Sequence, residues 1–220
     1  MRGLYAILDV TFARAKQVEE LALARALLAA EPCALQLRAK DLSAREVLEL
    51  LRRLRPLCQR AGVPLVANDR VDLAALAGCD MVHVGQEDLP HDLVSRIAPS
   101  VAVGVSTHDL AQLERALAAR PRYVAYGPVF ATTTKRNPDP VVGLDDLRTA
   151  ADLARRARIP LVAIGGITLE RAPEVGRLTP VAAVIGDVLA AGASESSITA
   201  RARALGSALA GSSRMAEALS

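Results

Sequence analysis

Aromatic side chains are almost missing from this chain. Phe, Tyr and Trp make up 2% of the 220 residues against 51% hydrophobic residues overall, so any core has to be built from Ala, Val, Leu and Ile. Missing too is any apolar run approaching the ~18 residues of a membrane helix, which argues against a membrane partner. The three cysteines (Cys33, Cys58, Cys79) form no CxxC, and His83, His91 and His108 lack zinc-ligand spacing. The thiols therefore read as small buried apolar groups in a reducing compartment. Neither charge is in strong excess: 27 basic and 24 acidic residues are spread along the chain, so nucleic acid is not an expected partner. There is no glycine-rich first turn of the dinucleotide-binding kind, no Ser/His/Asp constellation and no clear nucleophile. Lysine is scarce as well. Lys16, Lys40 and Lys135 are the only three among the 27 basic residues, and Lys40 and Lys135 both follow predicted strands, where a compact ammonium has a use that arginine does not fill.

The most informative stretch that is present runs from residue 64 to 89, PLVANDRVDLAALAGCDMVHVGQEDL. Two short apolar runs, 65–67 and 81–84, each lead straight into oxygen-bearing residues, Asn68-Asp69 and Gln86-Glu87-Asp88, with a short helical segment between them. This is a βαβ unit. Parallel neighbouring strands would bring Asp69 and Asp88 to the same end of the sheet, as a hard-oxygen site suited to Mg²⁺. The plain alternative is that Asn68-Asp69 caps the next helix and Asp88 sits in a turn. For either acid alone the plain alternative is better; for both in matching positions, metal binding is.

Strands and helices alternate along the chain. Strands are expected at 4–8, 33–37, 65–67, 81–84, 101–105, 123–126, 160–164 and 181–185. Helices are expected at 13–30, 43–61, 70–77, 92–97, 108–119, 144–158, 168–175 and 194–209. In the second of these, Ser43 and Glu46 form a capping box and Gly62 ends the helix. The start, MRGLYAILDV, carries one positive charge and a short apolar run ending at Asp9, which reads as a first strand and not a signal peptide. A cytoplasmic location follows as the expectation. Eight βα units imply an α/β fold of the (β/α)₈ TIM barrel type, compact and in a single domain over residues 1–210, with 211–220 as a frayed tail. The longest irregular segment, 127–143, holds three prolines, two of them flanking Asp139; a loop of that length inside a compact domain is usually functional.

In this fold the site forms just after the strands. There the chain supplies Gln36, Arg38 and Lys40, then Asn68 and Asp69, Asp88, Ser106, the loop residues Thr132, Thr134 and Lys135, Gly165-Gly166 and the segment around Gly186. The chemistry falls into two halves. Arg38, Lys40, Asp69, Asp88 and Mg²⁺ can neutralise a polyphosphate, and the backbone around Gly165-Gly166 and Gly186 can cradle a phosphate. Small phosphorylated molecules are thus the expected partners, two at once, and a homodimer is compatible with the pattern. Ser106 or Thr107 could instead be an N-cap, Gly165-Gly166 a tight turn, and Arg38 and Lys40 surface charges. His83 alternates inside a strand and reads as structural.

The motifs LQLRAK (35–40), ANDRVDLA (67–74), VHVGQEDLP (82–90), GVSTH (104–108), GPVFATTTK (127–135) and AIGGI (163–167) resemble, in order and spacing, the thiamine phosphate synthase family. The resemblance implies one reaction: a hydroxymethylpyrimidine diphosphate is joined to a hydroxyethylthiazole phosphate, giving thiamine phosphate and pyrophosphate through a dissociative substitution. It implies that Asp69 and Asp88 bind Mg²⁺ and that Arg38, Lys40, Asn68 and Lys135 hold the diphosphate. Ser106 would stand near the pyrophosphate, so that Lys135, Ser106 and Arg38 act on the leaving group. Gln36 would contact the pyrimidine. Thr132 and Thr134 would contact the thiazole phosphate or cover the site, and Gly166 with the backbone of Ile185 and Gly186 would form the phosphate cradle.

The chain departs from the family pattern in a few places. Ala39 stands where Glu is usual, Ala131 and Thr133 where prolines are common, Ala125-Tyr126 where residues are smaller, and Gly186 where Ser is usual. The last removes one hydroxyl from the cradle but leaves its backbone. Two rivals are a thiazole tautomerase of the same fold and a non-catalytic barrel that binds thiamine precursors. The tautomerases typically lose the Asn-Asp motif and carry His in place of Pro128; Asn68, Asp69 and Pro128 are all intact here.

Overall fold

The computed structural model of the chain describes residues 1–132, 139–190 and 192–217. Its strands are β1 (Gly3–Asp9), β2 (Ala34–Arg38), β3 (Leu65–Asn68), β4 (Met81–Val84), β5 (Ala102–Thr107), β6 (Tyr123–Tyr126), β7 (Leu161–Ile164) and β8 (Val181–Val184). All pair in parallel and in chain order, and β8 returns to β1 to close a (β/α)₈ barrel. The helices outside it are α1 (Val10–Ala15), α2 (Glu20–Leu28), α3 (Ala44–Ala61), α4 (Val71–Ala77), α5 (His91–Ile97), α6 (Leu110–Ala118), α7 (Gly143–Ala157), α8 (Ala172–Gly176) and α9 (Glu195–Glu217). Strands such as LVAI and VAAV are apolar on both faces because one face meets the barrel interior and the other meets the helices. No helix among the described residues is long and apolar enough to cross a membrane.

Strand alternation divides the core into two layers. Leu4, Ala6 and Leu8 of β1, with their counterparts on the other strands, pack outward against the helices. Tyr5, Ile7, Ala34, Val66, Met81, Tyr123, Ala125, Val162, Val181 and Ala183 fill the barrel. Two of the chain's few aromatic rings are thus used in the lumen. The Tyr123 ring fits because β5 has no side chain opposite it: a Cβ on Gly104 would lie 2.1 Å from Tyr123 Cζ.

The amphipathic helix α3 has the predicted ends. Ser43 and Glu46 cap each other's backbone, Gly62 adopts the left-handed conformation at φ 66°, and Leu50, Leu51, Leu54 and Cys58 are buried. The helix expected over 13–30 is a correction: it is two helices. Asp9 caps α1 by accepting from the Phe12 N–H, Gln17 turns left-handed at φ 57°, and Glu19 caps α2 by accepting from the Ala22 N–H. The break lets α1 start at the barrel mouth, tied to Asp9, before the chain descends along α2. The last helix reaches Glu217, past the residue-209 end that periodicity predicts.

Candidate active site

Asp69 and Asp88 come together at the ends of β3 and β4. Asp69 is held at φ 62°, and its N–H donates to His83 O at 2.8 Å, which ties the end of β3 to β4. It does not cap α4, whose N-terminal cap is Arg70 and has no side-chain cap bond. Asp88 accepts from the Gly85 N–H at 2.7 Å, so it does sit in a turn, and its carboxyl also meets that of Asp69. Lys40 Nζ lies 3.4 Å from Asp69 Oδ2. Burial and then the neighbouring Asp88 charge hold the Asp69 carboxyl above the usual aspartate range, with Lys40 pulling the other way. Among the described residues no group of three or more His, Cys, Asp or Glu side chains converges. A cation held by this oxygen-only pair would take the rest of its shell from water and phosphate, the habit of Mg²⁺.

Arg38, the last residue of β2, is the register partner of Asp9, the last of β1, and its Nη1 donates to Asp9 Oδ2. Asp9 is only 4% exposed, and its other oxygen accepts from the Phe12 N–H at 2.8 Å. One buried carboxylate therefore aims the guanidinium and starts α1. Two residues deeper on β2, Gln36 is 2% exposed and donates through Nε2 to the Tyr5 hydroxyl at 2.9 Å.

The second half is a cleft of about 450 Å³ lined by Ser106, Thr132, Gly166, Ile185 and Gly186 together with Phe12, Lys16, His108, Asp139 and Arg171. Ser106 belongs to β5, and α6 is capped by Asp109, so neither Ser106 nor Thr107 is a helix cap. Gln86 Nε2 donates to Ser106 O at 2.6 Å and links the ends of β4 and β5. Gly165 (φ 99°) and Gly166 (φ 61°) let residues 128–131 lie directly on the exit of β7: added Cβ atoms would come within 2.4 Å of Pro128 Cβ and Ala131 O. Val129 N and Phe130 N bond to Ile164 O and Gly165 O across the same contact. The opposite wall is held by Asp187, which receives two bonds from Arg201, each 3.0 Å, and a third from the Leu169 N–H.

These motifs match the family model described as thiamine monophosphate synthase over residues 4–186. The chain belongs to this family. A thiamine-phosphate synthase of Chloroflexus aurantiacus is 38% identical over 203 residues, 92% of this chain and 90% of that protein. One from Koribacter versatilis is 46% identical over 175 residues, 78% of this chain and 81% of that protein. Among solved structures, a thiamine phosphate pyrophosphorylase from Pyrococcus furiosus superposes with a TM-score of 0.81 at 30% identity, covering 94% of this chain and 95% of that one.

Within the synthase family frame, the predicted residues separate into the two halves. Lys40, Asp69 and Asp88 meet on one side, with Arg38 on Asp9 and Asn68 half-buried at the end of β3. Ser106, Thr132, Gly166, Ile185 and Gly186 share the cleft. Gln36 lies below, in the floor. Thr134 and Lys135 lie outside the described residues. The missing serine at 186 has a structural counterpart: a Cβ there would lie 3.2 Å from Phe12 Cζ, so the ring of Phe12 crowds that position. Asp9, Phe12, Lys16 and Arg171 belong to the site and carry no motif signal. Only the position of Asp9 after the first strand could have singled it out.

Proposed function

We propose that the chain is a thiamine phosphate synthase, a transferase whose residues divide the work as the two halves of the mouth suggest. Its reaction breaks the CH₂–O bond of a hydroxymethylpyrimidine diphosphate and forms a CH₂–N bond to a hydroxyethylthiazole phosphate; pyrophosphate leaves. The observation that carries the residue assignment is the meeting of Asp69 with Asp88 beside Lys40 at the mouth of a barrel of this family. Asp69 and Asp88 would hold Mg²⁺, which supplies Lewis-acid charge to the departing pyrophosphate.

Arg38, Lys40, Asn68 and Lys135 bind the diphosphate and stabilise the charge that builds as it leaves, with Ser106 nearby. The Asp9 carboxylate keeps the Arg38 guanidinium aimed before substrate arrives. Gln36 orients the pyrimidine from the floor. Thr132 and Thr134 meet the thiazole phosphate, and the backbone of Gly166, Ile185 and Gly186 cradles it. No side-chain base is required, because the aminopyrimidine itself assists departure and the thiazole nitrogen is the nucleophile.

The three free cysteines support cytoplasmic residence. A homodimer is the proposed assembly, with exposed Leu76 and Ile97 as apolar side chains it would cover; sedimentation velocity tests it.

Incubation of the purified protein with both phosphorylated precursors, followed by fluorescence of the oxidised product, tests the whole reading. Thiamine phosphate should form with Mg²⁺ and not with EDTA. Folded protein that forms none would be a tautomerase or a silent binding barrel.

A further inference from the structure

A chain of four polar side chains crosses the floor of the barrel. Gln36 Nε2 donates to the Tyr5 hydroxyl at 2.9 Å, the Tyr5 and Tyr123 hydroxyls are 2.8 Å apart, and the Tyr123 hydroxyl is 2.9 Å from His83 Nδ1. The His83 and Tyr123 rings stack with centroids 5.7 Å apart. Tyr5, Gln36 and Tyr123 are buried, and the four residues come from β1, β2, β4 and β6. Burial raises both phenols well above the usual tyrosine range, so each keeps its hydrogen and must place it.

A phenol has one hydrogen to give. Tyr5 already receives from Gln36, so its own hydrogen goes to Tyr123. Tyr123 then gives its hydrogen to His83 Nδ1, and the imidazole carries its hydrogen on Nε2. The links then all point the same way, and each hydroxyl hydrogen in the line has an acceptor, while Oε1 of Gln36 takes part in none of these bonds and stays open. The opposite polarity is also self-consistent, but only as a whole: a hydrogen on Nδ1 would be handed through Tyr123 and Tyr5 and would require Oε1 of Gln36, not Nε2, to face Tyr5. His83 and the Gln36 amide cannot be set independently.

We propose that His83 is a positioning residue for the pyrimidine: acting through Tyr123 and Tyr5, it determines which end of the Gln36 amide is presented to the substrate. This rests on the reading of Gln36 as the pyrimidine contact. With Nε2 turned to Tyr5, Gln36 offers its Oε1 acceptor to the amine of an aminopyrimidine. The ligand class this favours is a ring with a donor at that edge; a pyrimidine bearing a carbonyl there would meet acceptor against acceptor.

Steady-state kinetics on Tyr123→Phe, Tyr5→Phe, His83→Leu, His83→Asn, Gln36→Ala and the double variant Gln36→Ala/Tyr123→Phe tests the link. Each of Tyr123→Phe, Tyr5→Phe and His83→Leu should raise KM for the pyrimidine diphosphate about five- to tenfold, the scale of one buried hydrogen bond, and leave KM for the thiazole phosphate within about twofold. His83→Asn, which keeps an acceptor near the Nδ1 position, should recover most of the loss. The double variant should be no worse than Gln36→Ala alone, since the effect passes through Gln36. If Tyr123→Phe does not fold, Tyr5→Phe breaks the same line next to Gln36. An unchanged pyrimidine KM in Gln36→Ala would overturn the assignment of Gln36 and the relay with it. A raised KM there combined with an unchanged one in the tyrosine variants, equal rises for both substrates, or additivity in the double variant would overturn the relay alone.

Discussion

Arg38 and Asp9 are register partners at the last rungs of β2 and β1 and are joined by an ion pair. The acid is buried and the guanidinium nearly so, so neither charge is well solvated without the other. This makes Asp9 part of the site although it touches no substrate in the proposed reaction.

Asp9→Ala should lower the unfolding free energy by about 3–5 kcal/mol, because it strands a largely buried arginine and uncaps α1. Asp9→Asn keeps an oxygen for the Phe12 N–H and removes the charge, so it should retain more stability and still lose turnover. Urea denaturation alongside kcat separates the two. Equal turnover in Asp9→Asn and the parent would mean Arg38 needs no partner to act.

Asp69 provides a pH test. Its carboxyl is held above the ordinary aspartate range in the folded protein, by burial and then by Asp88, so the folded state binds the proton more tightly than the unfolded chain. The stability it contributes is present below the ordinary aspartate pKa and is lost as pH rises through the raised folded value. In EDTA, Asp69→Asn should therefore flatten the fall of Tm with pH and melt higher than the parent at pH 7. Mg²⁺ should raise the Tm of the parent at pH 7 and leave the variant unmoved. A Mg²⁺ shift of the same size in Asp69→Asn would place the ion elsewhere.

Gly166→Ala combines two costs. The left-handed backbone at φ 61° disfavours a side chain by about 1–2 kcal/mol, and the new methyl meets Ala131 O at 2.4 Å. The variant should melt lower and bind the thiazole phosphate more weakly, with KM for the pyrimidine diphosphate less affected. Calorimetry and paired KM measurements check this.

Tyr126→Phe should stabilise. The Tyr126 hydroxyl is buried with no hydrogen-bond partner among the described residues, and burial raises its pKa to about 12. Removing an unsatisfied hydroxyl should raise Tm by about 2–4 °C for a domain of this size. A lower Tm would indicate a bound water completing that hydroxyl.

The barrel was readable because parallel strands covered on both faces leave continuous apolar runs, as in LVAI and VAAV, and because capping residues such as Ser43, Glu46 and Gly62 are local signals. Asp69 and Asp88 were readable because both follow neighbouring parallel strands and so reach the same end of the barrel, although Asp69 is the first residue past β3 and Asp88 the fourth past β4, brought back by its bond from the Gly85 N–H. The split between α1 and α2 was not, since Ala- and Leu-rich composition runs through it and the break comes from the caps at Asp9 and Glu19. Nor was the partnership of Asp9 with Arg38, or of Gln36 with Tyr5. Those pairs are 29 and 31 residues apart in the chain and meet only after the first two strands are in register.

Gly104 and Tyr123 constrain the order in which a lineage could change them. The ring occupies the volume that any side chain at 104 would need. A descendant that acquires alanine at 104 first passes through a protein with its floor forced apart, whereas one that first exchanges the tyrosine for something small can then fill 104 freely. The second route gives up the hydroxyl that joins Tyr5 to His83, so relatives with a side chain at 104 should be those that hold their pyrimidine by other means.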